Sequence, residues 1–319
     1  MRRPRCPARP GPARPRPGAA PPAAGAEAGG TMRYLVLFQY RGTRYSGVVR
    51  TVADQSWLGV QNYLEQAAQS LKPLVPIKFC ISSRTDAGVH ALCNSAHVDI
   101  QRWAGKPPFP GSVLVSSLNR CLKSEEIRIL SACQVPDDFH ARFSALSRTY
   151  IYRLVMGCSY NFQIPVFERD LCWAPRGDHL NVPAMQEAAQ FLLGTHDFST
   201  FRSICADTPY KSPIKTIIHV DIRPFSSFLS YHYIHRQLQF WELEFRSRSF
   251  LYKQVRRMVG ALVAVGIGKL KPYHIKELLE VRDSLAYPQN TIAPAAGLFL
   301  KSVEYDDAEQ RGRVLLHNL

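Results

Sequence analysis

Hydrophobic and polar positions alternate along most of this chain, and the period changes from two residues to about 3.6 between segments. A period of two, as in NSAHVDI (94–100), predicts a strand with one buried face. The segment RYLVLFQY (33–40) is apolar at both alternating sets of positions, so we expect it to lie in the interior of a sheet. Strands are predicted over 33–40, 75–81, 94–100, 126–135, 148–155, 217–223, 240–246 and 297–305.

The period of 3.6 predicts helices over 56–72, 182–193, 250–266 and 271–281, and a short helix near 112–122. Ser56 is the expected N-cap of the first helix, whose apolar stripe comprises Trp57, Val60, Leu64, Ala67 and Leu71. Asn181 is the expected N-cap of the second, and Gly194 its end. Helices and strands mix without strict βαβ alternation, which predicts an α+β fold with a mixed or antiparallel sheet.

Composition separates the N-terminal segment from the rest of the chain. Residues 1–31 contain eight Pro, eight Ala and six Arg but no aromatic residue, so we expect a disordered tail. Lys and Arg outnumber Asp and Glu by 40 to 25, a net charge of +15. The six Arg and one Glu of residues 1–31 supply +5 of this, so the remaining residues carry +10. This charge favours a polyanionic partner, above all nucleic acid, although many basic proteins have no such partner.

Several classes of function lack their sequence signals. The eight cysteines form no C-x-x-C pair and have no histidines beside them at zinc-ligand spacing, which predicts reduced thiols in an intracellular protein without a metal. No phosphate-binding G-x-x-x-x-G-K-[ST] or G-x-G-x-x-G motif occurs. No apolar run approaches the ~20 residues that a transmembrane helix needs, so no membrane association is expected.

One loop contains the residues most suited to chemistry. The segment ISSRTDAGVHAL (81–92) lies between two predicted strands, so Asp86 is expected at the tip of a loop. Aspartate before Ala-Gly is also ordinary turn chemistry, and the loop alone does not separate these two interpretations.

Other segments resemble a known family. RTDAGVHA (84–91), DFHARFSALSRTYIYRL (138–154) and FLYKQVRRMVGALVAVG (250–266) are similar to the catalytic loop, an F-H-A-R-F-S-A…R-x-Y-x-Y stretch and a long helix of the TruA family of tRNA pseudouridine synthases. Three further segments match in the same order: LLGTHDFSTFR (192–202), SPIKTI (212–217) and APAAGLFL (293–300). Within the family the chain looks closest to an animal branch.

The resemblance implies a role for each of four residues. Asp86 corresponds to the essential aspartate, Tyr150 to the tyrosine that stacks on the target uracil, and Arg256 to the arginine paired with the aspartate. Arg84 stands where the family uses a basic side chain to hold the flipped nucleotide. His90 and His140 have no catalytic role in the family and are expected to fix loops.

The resemblance also implies the architecture and the partners. We expect the pseudouridine synthase fold, in which a mixed sheet flanked by helices forms two similar halves (32–147 and 148–306) around a basic cleft, followed by a tail (307–319). The implied substrate is tRNA, and the implied enzyme is a homodimeric isomerase that uses no cofactor and no metal. A non-catalytic RNA-binding protein on the same fold is the alternative.

The chemistry of uridine isomerisation agrees with these residues. The reaction breaks the N1–C1′ bond and joins C5 to C1′ without redox change, so it needs an ionised carboxylate but no cofactor. Aspartate has an ordinary pKa near 3.9 and is ionised at neutral pH, while a nearby arginine opposes the protonation that desolvation favours. Attack at C6 and action at the sugar both remain open.

Departures from the family pattern affect the choice of RNA and the location. Arg41 replaces an acid, Val48-Val49 replace Trp-Gln, and Ala296 stands where His is common. These changes argue against assuming the family's usual anticodon-arm target, so the target uridine stays open. The Arg-rich, acid-poor start predicts a mitochondrial location, whereas its prolines, and Met32 as an alternative start, favour the cytoplasm or nucleus.

Overall fold

The computed structural model describes residues 28–52, 57–158, 160–177, 179–203 and 212–306. The strands in these ranges are β1 (Ala28–Tyr40), β2 (Cys80–Ile81), β3 (His90–Trp103), β4 (Ile127–Gln134), β5 (Ser147–Met156), β6 (Gly194–Asp197), β7 (Ile214–Pro224), β8 (Gln239–Ser247) and β9 (Leu298–Glu304). The helices are α1 (Val60–Ala68), α2 (Gly111–Cys121), α3 (Val182–Gln190), α4 (Gln254–Gly266) and α5 (His274–Val281). The α+β class is therefore confirmed.

All nine strands form one sheet in the order β4-β1-β3-β9-β5-β8-β7-β6, with β2 paired to β3 off this path. Strand β1 lies between β3 and β4, as its apolar sequence predicted. The last strand, β9, lies between the two parts of the sheet, where it runs parallel to β3 and antiparallel to β5. The other pairings are antiparallel, so the sheet is mixed.

The main core lies between one face of the sheet and the helices. All five helices contribute buried apolar side chains to the same cluster as alternate residues of β1 such as Tyr34, Val36 and Phe38. A smaller cluster, which includes Leu35 and Phe139, covers part of the opposite face. No helix in the described ranges is long and apolar enough to cross a bilayer.

The structure corrects some predicted boundaries. Helix α1 begins at Val60 with Gly59 as its N-cap, so Trp57 lies outside it and is 52% exposed, and Ser56 is outside the described residues. Gly59 packs so close to the backbone of Val49 that a Cβ there would lie 1.9 Å from its carbonyl oxygen.

The other differences lie at the ends of elements. Helix α3 has the predicted cap, because Asn181 accepts a hydrogen bond from the Ala184 amide, but it ends before Gly194, the first residue of β6. Strand β1 begins at Ala28, inside the predicted tail, and Thr31 pairs with Gln101. The predicted strand 75–81 is paired only over β2, and Ile77 is buried without strand pairing. Residues 1–27 and the tail 307–319 lie outside the described residues.

Candidate active site

Asp86 lies in the loop that joins β2 to β3, and buried polar contacts fix this loop. The hydroxyls of Tyr40 and Thr85 share a hydrogen bond of 2.7 Å. The Asn94 side chain donates to the Ser83 carbonyl (3.0 Å) and to the Tyr40 hydroxyl (3.3 Å). Because these groups are withdrawn from water, each bond stabilises a single loop conformation. Side chains of the sheet, from Tyr40 on β1 and Asn94 on β3, thus fix the backbone that carries Asp86.

Backbone contacts hold the loop from its other side. The Val48 amide donates to the Thr85 carbonyl (3.2 Å), and the Val89 amide donates to the Asp86 carbonyl (3.2 Å). Gly47 has φ +101°, and a Cβ there would lie 2.7 Å from the Thr85 carbonyl oxygen. Only glycine combines that dihedral with so close an approach.

Arg256 on α4 meets Asp86 across the core. Its Nη1 lies 3.4 Å from Oδ2 of Asp86, and its Nε donates to the Ala293 carbonyl at 2.8 Å. The Ala293 amide in turn donates to the Arg256 carbonyl at 3.1 Å. The guanidinium is therefore anchored at one end and faces the carboxylate with the other. The side chains of Asp86 and Arg256 are 25% and 14% exposed, which leaves the pair open to a ligand from one side.

The start of α4 brings a second cation towards the aspartate. Lys253, the N-cap, has φ +56°, a left-handed conformation that is unfavourable for a residue with a Cβ. The buried Gln254 side chain accepts a hydrogen bond from the Leu251 amide (2.7 Å) and stabilises this turn. Such strain persists only where surrounding contacts enforce it, and it is typical of functional sites.

Opposing effects act on the pKa of Asp86. Burial raises this pKa above its ordinary value, while the charges of Arg256 and Lys253 and the hydrogen bond from Arg256 lower it, and burial prevails. A ligand that excluded more water would raise the pKa further. The two cations therefore favour the ionised carboxylate when the site is covered.

Tyr150 lies on β5, on the same cavity wall as Phe250. Its side chain is 8% exposed, and its ring packs edge-on against Phe250 with centroids 5.2 Å apart. Burial raises the pKa of the Tyr150 hydroxyl well above its ordinary value, and the nearby Tyr40 and Asp86 act in the same direction. At neutral pH the ring is an uncharged phenol at the wall of the cavity.

These residues line one cavity of about 750 Å³, between the loops that contain residues 46–51, 82–87 and 142–145 and the segment 248–256 that joins β8 to α4. Its described lining includes seven basic residues and a single acidic one, Asp86. The basic residues are Arg50, Arg84, Arg142, Arg148, Arg248, Lys253 and Arg256. Such an excess of positive charge in a concave surface attracts a polyanion.

Arg148, which was not among the predicted site residues, connects three walls of this cavity. The guanidinium donates to the carbonyls of Arg142 (2.7 Å) and Arg248 (2.6 Å) and to the hydroxyls of Ser82 (3.2 Å) and Ser83 (3.4 Å). Its side chain is buried, which lowers the pKa of the guanidinium. A buried arginine with neutral acceptors leaves net positive charge beside the site.

The two histidines of the motifs, His90 and His140, form hydrogen bonds with backbone groups and do not belong to the described cavity lining. Nδ1 of His90 accepts from the Gly42 amide (3.0 Å), so its Nε2 carries the proton and donates to the carbonyls of Asp170 (2.9 Å) and Ala296 (3.0 Å). Burial lowers the pKa of His90 to about 4, which keeps the ring neutral. The loop-fixing role expected of His90 agrees with these bonds.

Cys80, His97 and His140 come together in a group that the sequence did not predict, with potential ligand atoms within 4.8 Å of one another. Nδ1 of His97 accepts from the Ala141 amide (3.1 Å), and Nδ1 of His140 accepts from the Arg142 amide (3.2 Å). Both rings therefore use Nδ1 to hold the backbone at Ala141 and Arg142. The arrangement fits a structural role in the 140–144 turn.

The structure thus brings all four predicted site residues, Arg84, Asp86, Tyr150 and Arg256, to the wall of one cavity. Arg84 is exposed there. Lys253 and Arg148 were not predicted as site residues, although both lie inside the family-like segments 250–266 and 138–154. The signal that could have found Arg148 is an arginine in an otherwise buried strand, since such a residue requires polar partners in the core.

Comparison with known proteins gives one consistent family. The family model described as tRNA pseudouridine synthase matches residues 36–144 and 188–306. The chain is 59% identical over 280 residues to tRNA pseudouridine synthase-like 1 of Xenopus laevis, and 54% identical over 283 residues to that of Homo sapiens. Each alignment covers 88% of this chain and 93% of the relative. The chain is also 37% identical over 273 residues to tRNA pseudouridine synthase A of Paramagnetospirillum magneticum. This alignment covers 86% of the chain and 95% of the relative.

Proposed function

This chain belongs to the TruA family of tRNA pseudouridine synthases, which are isomerases, and on that premise we propose that it isomerises uridine in tRNA by an aspartate-dependent reaction without a cofactor. The observation that carries the mechanism is the pair formed by Asp86 and Arg256, with 3.4 Å between Oδ2 and Nη1. This pair lies in a cavity whose other charged lining residues, as far as the structure describes them, are all basic.

The rival function, RNA binding without catalysis, explains the basic residues but not the aspartate. A carboxylate among seven cations weakens the attraction of a cavity for phosphate, and burial, which raises its pKa, makes the ionised form less favourable than it is in water. A protein that only bound RNA would gain affinity by losing this charge. Catalysis gives a reason to keep it.

The reaction conserves every atom of the nucleotide except for exchange of a proton. The N1–C1′ bond breaks, C5 bonds to C1′, the proton on C5 leaves, and N1 gains a proton. In the proposed mechanism the ionised Asp86 acts next to C1′ and C6, and attack at C6 and action at the sugar are both compatible with its position. Arg256 stabilises the ionised form throughout, because its charge lowers the pKa of Asp86.

The target base has to leave its stack to reach Asp86, which is recessed in the cavity. Flipping a base costs a few kcal/mol, part of which an aromatic surface can return. We assign this surface to Tyr150, whose ring lines the cavity beside Phe250. We assign to Arg84 the role of holding the backbone of the flipped nucleotide, and its exposure at the cavity wall supports this assignment.

A map of pseudouridine in cellular RNA tests this function. Cells that lack the protein should lose specific sites, and wild-type protein should restore them while Asp86→Ala should not. Asp99→Asn is the matched control. Oδ1 of Asp99 lies 2.7 Å from Nε of Arg33, and neither residue belongs to the described cavity lining. An unchanged map in cells that carry only Asp86→Ala would favour the non-catalytic alternative. The map would also identify the target uridine, which the altered residues Arg41, Val48 and Val49 leave open.

We also propose that the protein is a homodimer. Exposed aromatic side chains on the 160–167 and 228–233 segments support this, since a large exposed apolar patch is typical of an interface. Phe167 and Phe228 are 66% and 62% exposed, and their rings lie 5.6 Å apart. Sedimentation should show a dimer that the double substitution Phe167→Asp and Phe228→Asp converts to a monomer. A wild-type monomer at micromolar concentration would contradict this proposal.

The proposed location is the mitochondrion, with the cytoplasm or nucleus as alternatives. The support is the N-terminal segment, whose residues 1–31 hold six Arg and one Glu. Residues 1–40 fused to a fluorescent protein should enter mitochondria, as should the full chain from Met1 but not the chain from Met32. Diffuse fluorescence of all three would exclude the mitochondrial assignment.

A further inference from the structure

Two aromatic side chains at the cavity wall have far more exposed area than Tyr150. Phe143 is 70% exposed and Tyr252 is 40% exposed, compared with 8% for Tyr150. Both line the same cavity as Asp86, on segments from different halves of the chain. Exposed rings inside a concave, basic surface are suited to contact with a ligand, whereas single exposed rings elsewhere are ordinary.

The ring of Phe143 is held in a fixed orientation. The Phe143 and Ser144 amides donate to the His140 carbonyl (3.0 and 2.9 Å), which closes a tight turn. The His140 ring packs against the Phe143 ring with centroids 4.3 Å apart, and Arg148 holds the turn through the Arg142 carbonyl. One side of the ring is thus supported while most of its area faces solvent, as a preorganised binding surface requires.

Each of the two rings has a cation beside it. The Arg142 guanidinium lies 5.8 Å from the Phe143 centroid, and Nζ of Lys253 lies 4.9 Å from that of Tyr252. An apolar protein surface pressed against these rings would have to desolvate the cations without replacing their hydration. A nucleotide offers a flat base for the ring and a phosphate for the cation. The pairing of ring and cation therefore favours RNA over a protein partner.

We propose that Phe143 and Tyr252 are stacking platforms for the nucleobases that flank the target uridine. This inference rests on the proposed function, in which the target base itself stacks on the more deeply buried Tyr150. Flipping the uridine removes a stacking neighbour from each adjacent base, and the two exposed rings replace those neighbours. Because every base has a π face, the platforms accept any flanking sequence.

Binding of unmodified, unfractionated tRNA transcripts to the full chain tests this proposal. All variants carry Asp86→Ala, so that the RNA is not altered during the measurement. Phe143→Leu and Tyr252→Leu should each weaken binding about 5- to 150-fold, the range expected for loss of one stacked base. Phe143→Tyr and Tyr252→Phe, which keep the ring, should bind as the parent does. Tyr273→Leu is the matched control, because Tyr273 is 48% exposed beside Lys271 but is absent from the described cavity lining.

The salt dependence separates stacking from phosphate contact. Loss of a stacked base should weaken binding equally at every salt concentration, whereas Arg142→Gln should reduce the log–log slope by about 0.7 on a single strand. Unchanged affinity of Phe143→Leu would overturn the platform. If Phe143→Leu weakens RNA binding and Phe143→Tyr does not restore it, the ring only stabilises the 140–144 turn. The same conclusion follows if Phe143→Leu changes the slope of log affinity against log salt. Loss of a dimer with unchanged RNA affinity would assign the ring to a protein interface.

The active chain distinguishes failure of this inference from failure of the proposed function. With tritium at C5 of uridine in the same transcripts, Phe143→Leu should lower kcat/KM by a similar factor and leave the pH dependence of turnover unchanged. A wild-type chain that binds the transcripts but forms no pseudouridine would refute the proposed function, whatever Phe143→Leu does to binding. Normal turnover combined with unchanged affinity of Phe143→Leu would refute the platform alone.

Discussion

Nη1 of Arg256 lies 3.4 Å from Oδ2 of Asp86, although the two residues are 170 positions apart in the chain. One comes from the loop after β2 and the other from the first turn of α4, so the contact joins two distant parts of the chain at the cavity. The contact has an electrostatic consequence. Burial raises the pKa of the Asp86 carboxyl group, and the charge of Arg256 lowers it.

Removal of this charge should change the pH dependence of turnover. Arg256→Gln should shift the acid limb of kcat/KM to higher pH, because Asp86 must be ionised and loses a group that lowers its pKa. Activity lost near the limb should return as the pH rises. The measurement is kcat/KM against pH for the two proteins.

The adjacent Arg257 supplies the control. It donates to the carbonyls of Thr200 (2.8 Å) and Arg202 (2.7 Å) and lies over the Tyr287 ring at 4.5 Å. Arg257→Gln should therefore lower the free energy of unfolding by about 1–3 kcal/mol and leave the acid limb in place. An equal shift of the limb in both variants would show that the Arg256 contact has no specific electrostatic role.

Lys253 should show opposite effects on stability and on activity. Its φ of +56° is strained for lysine, whereas asparagine tolerates the left-handed region, so Lys253→Asn should raise the free energy of unfolding by up to about 1 kcal/mol. The same change removes a charge that lowers the pKa of Asp86, so the acid limb of turnover should move to higher pH. Urea unfolding and a pH profile of kcat/KM measure the two effects. A less stable variant with an unchanged limb would contradict this role.

Substitutions of Tyr150 separate its ring from its hydroxyl. Burial raises the pKa of this hydroxyl, which makes it a poor proton acceptor at neutral pH, so Tyr150→Phe should retain most of the turnover. Tyr150→Ala should lose about 1–3 kcal/mol of RNA affinity with the stacking surface. Single-turnover rates and tRNA affinity should be measured on variants shown by melting to be folded. Loss of turnover with intact affinity in Tyr150→Phe would assign chemistry to the hydroxyl, and full activity of Tyr150→Ala would exclude the platform role.

Arg84 should act through a phosphate contact. If it holds the flipped nucleotide by its backbone, Arg84→Gln should lower the slope of log affinity against log salt by about 0.7–0.9. Lys276→Gln is the control, because Lys276 is an exposed helix residue paired with Glu280 at 3.9 Å. An unchanged slope in Arg84→Gln would remove Arg84 from the binding surface.

The local elements were predictable from the sequence because they depend on neighbouring residues. Asn181 caps α3 as its side chain and position predicted, and β1 is interior as its apolar faces predicted. The start of α1 was not predictable from its apolar stripe, because Gly59 is fixed by close packing against Val49, a tertiary contact. The position of β9 between β3 and β5 likewise depends on long-range pairing.

The candidate site divides in the same way. The pairing of Asp86 with Arg256 followed from family resemblance, since no periodicity relates residues so distant in sequence. Arg148 and Lys253 were not predicted, because neither the burial of an arginine nor the left-handed backbone conformation of a lysine is visible in the sequence. Phe143 was not identified because its 70% exposure follows from the turn at residues 140–144, which no periodicity of the sequence indicates.

The most direct test of the mechanism is release of the C5 hydrogen by the purified chain. With tRNA that carries tritium at C5 of uridine, the wild-type chain should release label, since C5 must lose its proton to bond with C1′. Asp86→Asn should release none yet bind the same tRNA at least as tightly, because it removes the negative charge and keeps the shape of the side chain. Release by Asp86→Asn at the wild-type rate would contradict the assignment of Asp86 as the catalytic group.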